Sequence, residues 1–383
     1  MTRFFVMTAV CIALASLSLF AQNTTTGHFV VRLGRDTIAV EQYSLSSHGL
    51  SGTSVTRSPK TIVRDFEAEL GADGELQHFH VTLHPVGGPV TGERDYVYRG
   101  DSIEVTFKQD TMTRRSVTFA QGHPIPLFVD IIAPWEMALR HAKQKGNGRE
   151  FGVLAGRQVL QYDVKGNPPG QLDLANPEND FSPIQATVNR EGDVEKFDMS
   201  ATTDKFVAER VKGLDVGMMA KEFSEREQSG GALGTLSPRD TVRAEIGGAH
   251  LLIDYGRPAA RGRKIFGGVV PWDQVWRTGA NAATQLVTDK ELMFGATVVP
   301  PGTYSLFTLP TAHDWLLIVN RQHGQWGTVY DGSKDLARLP LTVKHLPALK
   351  ERFTFTIDSH DHAGTISFEW GDTGASIPFS VQR

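Results

Sequence analysis

Apolar and polar residues alternate with a period of two along most of the chain, in short runs closed by Gly, Pro or Asp. That period belongs to β-strands, whose successive side chains point to opposite faces of a sheet. Gly27–Val40 (GHFVVRLGRDTIAV) reads as a hairpin turning at Gly34-Arg35-Asp36. Thr61–Leu70, Leu76–Leu83, Arg94–Tyr98, Ser102–Lys108 and Arg115–Ala120 follow as strands, and Glu150–Leu154, Arg157–Tyr162, Gln185–Arg190 and Phe206–Val211 come later.

A helical period shows in two places. Residues 134–145 (PWEMALRHAKQK) open on proline, carry Trp135, Ala138, Leu139 and Ala142 on one face, and end in basic residues before Gly146. A second, shorter helix is predicted over Val216–Glu225, with Asp215 as its N-cap and Val216, Met219 and Phe223 turned inward. From Pro238 to Arg383 the chain is almost all strand, with alternation in Ala244–Ile246, Leu251–Tyr255, Gln285–Thr288, Tyr304–Leu309, Trp315–Asn320, Phe353–Ser359 and Thr365–Trp370. Short strands at near-regular spacing predict a β-sandwich or jelly roll. The fold class is therefore mainly β: an N-terminal antiparallel sheet with one or two helices, then a C-terminal β-sandwich or jelly-roll-like domain.

The stretch Gln228–Ser237 (QSGGALGTLS) divides these two textures and reads as a glycine-rich linker. The expected organisation is a leader over 1–21, an N-terminal domain over 22–227, the linker over 228–237 and the second domain over 238–383. The leader, MTRFFVMTAVCIALASLSLFA, has one positive residue, Arg3, then an apolar run from Phe4 to about Ala15 and small residues before an expected cut after Ala21. Its apolar core is shorter than the roughly 20 residues a membrane span needs. The expected location is periplasmic or secreted, with no transmembrane segment left after the leader is removed.

Removal of the leader takes away Arg3, lowering the net charge of −4 by one unit, and Cys11, the one cysteine in the chain. Thiol catalysis and cysteine-held metals are then excluded. A net negative charge argues against nucleic acid as a partner.

Candidate chemistry concentrates between Tyr255 and Thr284, in YGRPAARGRKIFGGVVPWDQVWRTGANAAT. Arg257, Arg261, Arg263 and Arg277 are interleaved with Trp272, Trp276, Asn281 and Thr284. Guanidinium forks suit bidentate recognition of carboxylate or phosphate, and indole faces stack on sugars. The candidate ligand-binding set is Arg257, Arg261, Arg263, Trp276, Arg277, Asn281 and Thr284. The competing reading is structural, with arginines paired to acids and loop carbonyls and tryptophans filling the sandwich. Against it, the stretch supplies only Asp273, with Asp254 just before it.

The run WRTGANAAT at Trp276–Thr284 is preceded by RGRKIFG and followed by PPGTYSLFTLP at Pro300–Pro310 and DWLLIVN at Asp314–Asn320. Together with Trp326-Gly327, FTFTID at Phe353–Asp358 and the closing Phe368–Phe379, it resembles the bacterial family called domain of unknown function 2911 over about residues 238–383. The resemblance implies an exported protein and carries over no catalytic residue.

His78, His80 and His84 (HFHVTLH) fall on one face of a strand and are weak metal candidates, since His80 and His84 would lie about 13 Å apart at roughly 3.3 Å per residue. His360-Asp361-His362 reads as a solvated hairpin tip. No HExxH, P-loop, GxGxxG or GxSxG is present, and no cofactor is assigned. Three functions stay open, and the expectation leans away from an enzyme. The first is a non-catalytic protein binding an anionic or sugar-like small molecule, or an envelope component, through the 257–284 loop. The second is a lipophile carrier or envelope assembly factor acting through the N-terminal domain. The third is a glycan or ester hydrolase.

Overall fold

The computed structural model describes residues 24–144, 150–166, 170–177 and 183–382. The leader expected over 1–21 lies outside the described residues. No helix among them is long and apolar enough to cross a membrane. Strands hold 58% of the residues and helices 9%, so the fold is mainly β, as the alternation predicts.

The first fifteen strands are β1 (Thr25–Leu33), β2 (Asp36–Leu45), β3 (Gly49–Thr56), β4 (Ile62–Leu70), β5 (Leu76–His84), β6 (Gly92–Arg99), β7 (Ser102–Gln109), β8 (Met112–Phe119), β9 (Ile125–Pro126), β10 (Glu150–Ala155), β11 (Gln158–Gly166), β12 (Gln171–Ala175), β13 (Ile184–Val188), β14 (Val194–Asp198) and β15 (Val207–Val211). They form one sheet in the order β8-β7-β6-β5-β4-β3-β2-β1-β15-β14-β13-β12-β11-β10-β9. Neighbours pair antiparallel except β9 with β10. The sheet is two meanders joined where β1 pairs with β15, His28 facing Val211.

A sheet this wide must curl to bury its apolar face, and helix α1 (Ala133–Gln144) fills the hollow. Trp135, Ala138, Leu139 and Ala142 are all buried, so the face read from the sequence is the one that packs. Phe29 and Phe79 from one meander and Leu174 and Phe197 from the other join Trp135 in a single core. Trp135 meets Phe151, Tyr162 and Phe197 at 5.2–5.9 Å between ring centroids. Helix α2 (Val216–Arg226) covers the opposite face, on a row of valines at 30, 40, 55 and 63 that face one another across β1 to β4. Its N-cap is Asp215, whose carboxylate accepts from Met218 N at 2.8 Å.

Buried acids fasten α1 to the sheet. Glu136 is wholly inaccessible; it accepts from Tyr43 Oη at 2.8 Å and Val194 N at 2.9 Å and pairs with Arg210 and Arg140. Glu41, equally buried, accepts from Ile132 N at 2.7 Å and Ala133 N at 2.9 Å where the helix begins. Both interactions favour the carboxylate, yet burial outweighs them and pushes the Glu41 carboxyl up to about 8.

The remaining strands are β16 (Arg239–Ile246), β17 (Ala249–Gly256), β18 (Thr284–Thr288), β19 (Leu292–Phe294), β20 (Thr297–Val299), β21 (Gly302–Pro310), β22 (Trp315–Asn320), β23 (Asp335–His360) and β24 (Ala363–Val381). They form a second sheet, ordered β16-β17-β18-β21-β22-β23-β24-β19-β20, which folds over itself into a sandwich. The long strands β23 and β24 make the fold-over, and their pairing slips between His345 and Lys350 and again before Thr354. Such bulges bend a strand from one layer into the other. Ile253 and Tyr255 of β17 thereby meet Phe353, Phe355 and Trp370 in one core.

Between the sheets the glycine-rich stretch forms a π-helical turn over Glu227–Gly231, with Gly230 at φ 88°. Leu233 and Leu236 then pack on the first core, and Ser58 Oγ donates to the Gly234 carbonyl at 3.0 Å.

The raised Glu41 pKa has a signed consequence. Unfolded chains release this proton near pH 4.5 whereas the folded protein holds it to about 8, so the stability it contributes is complete below 4.5 and is lost as pH rises toward 8. Urea unfolding of Glu41→Gln at pH 5, 6, 7 and 8 is expected to show its stability relative to wild type rising with pH. A constant difference would mean that Glu41 is ionised throughout.

Candidate functional site

The 257–283 segment links β17 to β18 as an irregular loop, and hydrogen bonds to its neighbours fix it at both ends. Arg257 N donates to Pro238 O at 2.8 Å and Ala260 N to Glu351 O at 2.7 Å. Trp276 and Thr308 exchange backbone bonds at 2.8 and 2.7 Å, and Gly327 N donates to Asn281 O at 2.9 Å. Gly327 is required where it stands: a Cβ there would meet Arg277 Cδ at 2.0 Å.

The loop faces residues 201–205, the turn between β14 and β15 of the first sheet. Between them lies a cleft of about 330 Å³. Arg261, Arg263, Trp276, Arg277 and Asn281 line it, joined by Trp370 and by Asp204 and Lys205 from the opposite wall. Lys205, Arg261, Asp273, Thr278 and Asn281 have φ between 46° and 63°, a left-handed region that side chains other than glycine seldom adopt. They account for five of the eight such residues among those described, and strain of this kind clusters at functional sites. Thr278, β-branched and so the least suited, is held by its hydroxyl on Thr308 Oγ1 at 2.8 Å and by Thr284 Oγ1 on its carbonyl at 2.8 Å.

The seven candidates divide by their partners. Arg257 does not line the cleft; it bonds Asp240 at 3.2 Å, Phe353 O at 3.3 Å and Thr354 at 3.3 Å. Thr284 is wholly buried beneath Thr278. For these two the structural reading describes what they touch. Arg261 is paired with Asp36 of the first sheet, and Arg263 donates to the carbonyls of Ala260 at 3.0 Å and Ala259 at 2.8 Å. The Trp276 indole donates to Gly279 O at 3.1 Å, stacks on Trp370 at 6.0 Å, and packs edge-on to Phe266, Phe353 and Phe368. Both its ring face and its N–H are therefore engaged in the sandwich. Asn281 Nδ2 reaches Ser237 O at 3.3 Å.

Arg277 differs from the rest. It makes no ion pair among the described residues, and its buried Nε has no hydrogen-bond partner. The same holds for Arg261 Nε and Trp370 Nε1, so three buried N–H donors around one cleft lack acceptors. Buried polar groups are normally satisfied, and an unsatisfied one costs about 1–3 kcal/mol.

Charge is unbalanced in the same place. Burial pulls the Lys205 ammonium down to about 8, with Arg277 and Arg263 adding repulsion. Burial, with repulsion from Arg261, brings the Arg263 guanidinium down to about 10. Asp204, the one carboxyl lining the cleft, is raised by burial against the pull of Arg277. Asp204 and Lys205 escape a reading of the loop alone because they come from the other sheet.

The other acids and histidines fall elsewhere. Asp254 pairs with Arg239 at 2.7 Å, and Glu369 sits between Lys344 and Lys350 at 3.6 and 3.5 Å; neither they nor Asp273 line the cleft. The two carboxylates that a glycosidase needs do not meet there. His360 and His362 flank an exposed turn at Asp361, φ 51°. His78 and His80 meet at Asp95, whereas His84 bonds Asp65 at 2.9 Å. A larger, mainly apolar hollow of about 810 Å³ lies beside the end of α1, walled by Leu139, Ala142, Val164, Leu172 and Val188.

Residues 237–379 match the model of a family described as "Protein of unknown function (DUF2911)", which bears out the resemblance carried by the second segment. The N-terminal part matches no family model. No curated protein matches the chain.

The packing of Trp276 predicts that Trp276→Ala lowers the stability of the protein by roughly 3 kcal/mol, as for other large-to-small aromatic truncations. Urea unfolding checks it; an unchanged midpoint would place the indole outside the core.

Proposed function

We propose that this is an exported protein that binds an anionic small molecule, carrying carboxylate or phosphate groups, in the cleft between the 257–283 loop and residues 201–205. The observation that carries the reading is Arg277: its buried Nε has no hydrogen-bond partner, it makes no ion pair among the described residues, and one carboxyl, Asp204, stands against Arg277, Arg263 and a Lys205 ammonium that burial and both arginines depress. One carboxyl against several cations leaves positive charge in excess in a partly buried cleft, and a bound anion would supply the acceptors and the charge together. The arrangement favours anions over neutral sugars, because the Trp276 face that would stack on a sugar is already covered by Trp370. Nothing in the cleft requires a reaction.

A second reading rests on the apolar hollow beside α1, whose walls suit an acyl chain. The core under the sheet is itself filled by Trp135 and its aromatic neighbours, so a lipophile would enter beside the helix and not beneath it. Binding of a long-chain fatty acid that Leu172→Arg abolishes and Arg277→Ala does not would favour this reading over the first.

Calorimetric titration with inorganic phosphate, malonate and a neutral disaccharide tests the first reading. Phosphate or malonate is expected to bind, the disaccharide not, and Arg277→Ala to weaken binding at least about tenfold, the worth of a charge-assisted hydrogen bond. Arg257→Ala should leave it unchanged. Equal binding by Arg277→Ala would exclude the cleft as the site.

Lys205 adds a pH dependence. It carries its charge below about 8 and loses it above, so affinity for malonate, whose own charge is constant there, should fall as pH rises past about 8. Because the bound anion stabilises the ammonium, the fall should lie above pH 8. Lys205→Arg is expected to flatten it; an affinity independent of pH in the wild type would remove Lys205 from the site.

A further inference from the structure

We infer that His78, His80 and Asp95 form a binding site for a divalent transition metal, of the zinc, nickel or copper class, on the outer face of the first sheet. The proposal is independent of the anion cleft.

Strand pairing brings the three groups together. His78 and His80 are two apart on β5, so both project from the same face, while Phe79 and Val81 between and beyond them are buried in the core. Asp95 of β6 stands directly opposite His80, with Val97 opposite His78. Asp95 therefore lies level with one imidazole and diagonal to the other, both within side-chain reach across an antiparallel pair. His78 Nε2 lies 2.6 Å and His80 Nδ1 3.1 Å from the same carboxylate oxygen, Oδ1. All three donor atoms fall within 4.8 Å of one another, and the two rings are 6.3 Å apart.

The donor set and its spacing suit a borderline cation. Bonds of about 2 Å in a tetrahedron put ligand atoms about 3.3 Å apart. The carboxylate must therefore draw back from His78 by about 0.7 Å, a movement within the freedom of two side chains that are each one-third exposed. The ion would take the place of the protons that now link imidazole and carboxylate. Two imidazoles and one carboxylate match zinc, nickel and copper, whereas calcium and magnesium prefer shells of oxygen alone. Three protein ligands leave positions for water or a further ligand.

The surroundings add negative charge. Across β5 on the other side, β4 places Glu67 opposite His80 and Glu69 opposite His78. Each histidine thus has a carboxylate residue beside it in the sheet, where one is able to complete the shell or orient a ring. Burial alone would raise the Asp95 carboxyl, but the hydrogen bonds from His78 and His80 outweigh it and hold it below the ordinary range. His84, on the same face, is occupied by Asp65 at 2.9 Å and the Pro85 carbonyl at 2.9 Å and takes no part.

Calorimetric titration of the untagged protein with Zn(II), repeated with Ni(II) and Cu(II), tests the site, with Mg(II) as the hard-ion comparison. One equivalent of Zn(II) is expected to bind. His78→Ala and Asp95→Asn should each lower the affinity at least tenfold, and His84→Ala should leave it unchanged. Circular dichroism of each variant establishes that the fold is intact. Co(II) substitution provides a second readout: visible d–d bands are expected in wild type and His84→Ala and not in Asp95→Asn. No binding by the wild type, or equal binding by the wild type and both site variants, would overturn the assignment.

Discussion

Arg261 is 4% exposed, and its guanidinium is paired with Asp36 across the boundary between the two sheets. Its carbonyl accepts the Arg35 N–H at 2.9 Å, and its own N–H donates to Glu351 Oε1 at 2.9 Å. A buried arginine is tolerated only when its charge is met, so this pairing holds the β1–β2 turn against the 257–283 loop. Gly34 makes the approach possible: it sits at φ 61°, and a Cβ there would lie 2.3 Å from the Arg261 carbonyl oxygen. The cleft has one wall from each sheet, and its shape depends on this contact.

With that contact in place, the loop's arginines have two kinds of surroundings. Arg257, Arg261 and Arg263 are held by acids and carbonyls, with Arg261 Nε left unpaired, and serve to shape the loop. Arg277 lies in the same wall without an ion pair among the described residues, and the Asp204 that acts on it from the opposite wall stands beside a lysine whose charge burial already disfavours. Folding has concentrated positive charge where water is restricted, and the left-handed backbone at Lys205, Thr278 and Asn281 shows that the surrounding structure maintains an unfavourable arrangement. The anion reading follows from this imbalance and not from the number of arginines.

Local signals were the most legible part of the sequence. The periodicity of 134–145 located α1 to within a residue, and Asp215 caps α2 as its position predicts. Strand β3 was harder to see because Gly49, Ser51, Gly52, Thr53 and Ser54 give little hydrophobic alternation; pairing on both sides makes it a strand. Strand β23 shows in the sequence only from Phe353, since Pro340 and Pro347 interrupt the run that precedes it, yet it starts at Asp335. The loop could be picked out from its composition, but whether each arginine is shaped by the fold or left for a ligand depends on Asp36, Asp240 and Asp204, distant in sequence. His78 and His80 were visible as a pair, whereas Asp95 becomes their partner only through the register of β5 with β6.

The proposed anion would touch both walls of the cleft between the two sheets. Hydrogen–deuterium exchange with and without saturating phosphate or malonate tests it most directly. Slower exchange is expected in both walls together, residues 201–205 and 276–281, with the outer face of β5 and β6 unchanged. Protection confined to one wall, or appearing only away from the cleft, would contradict it.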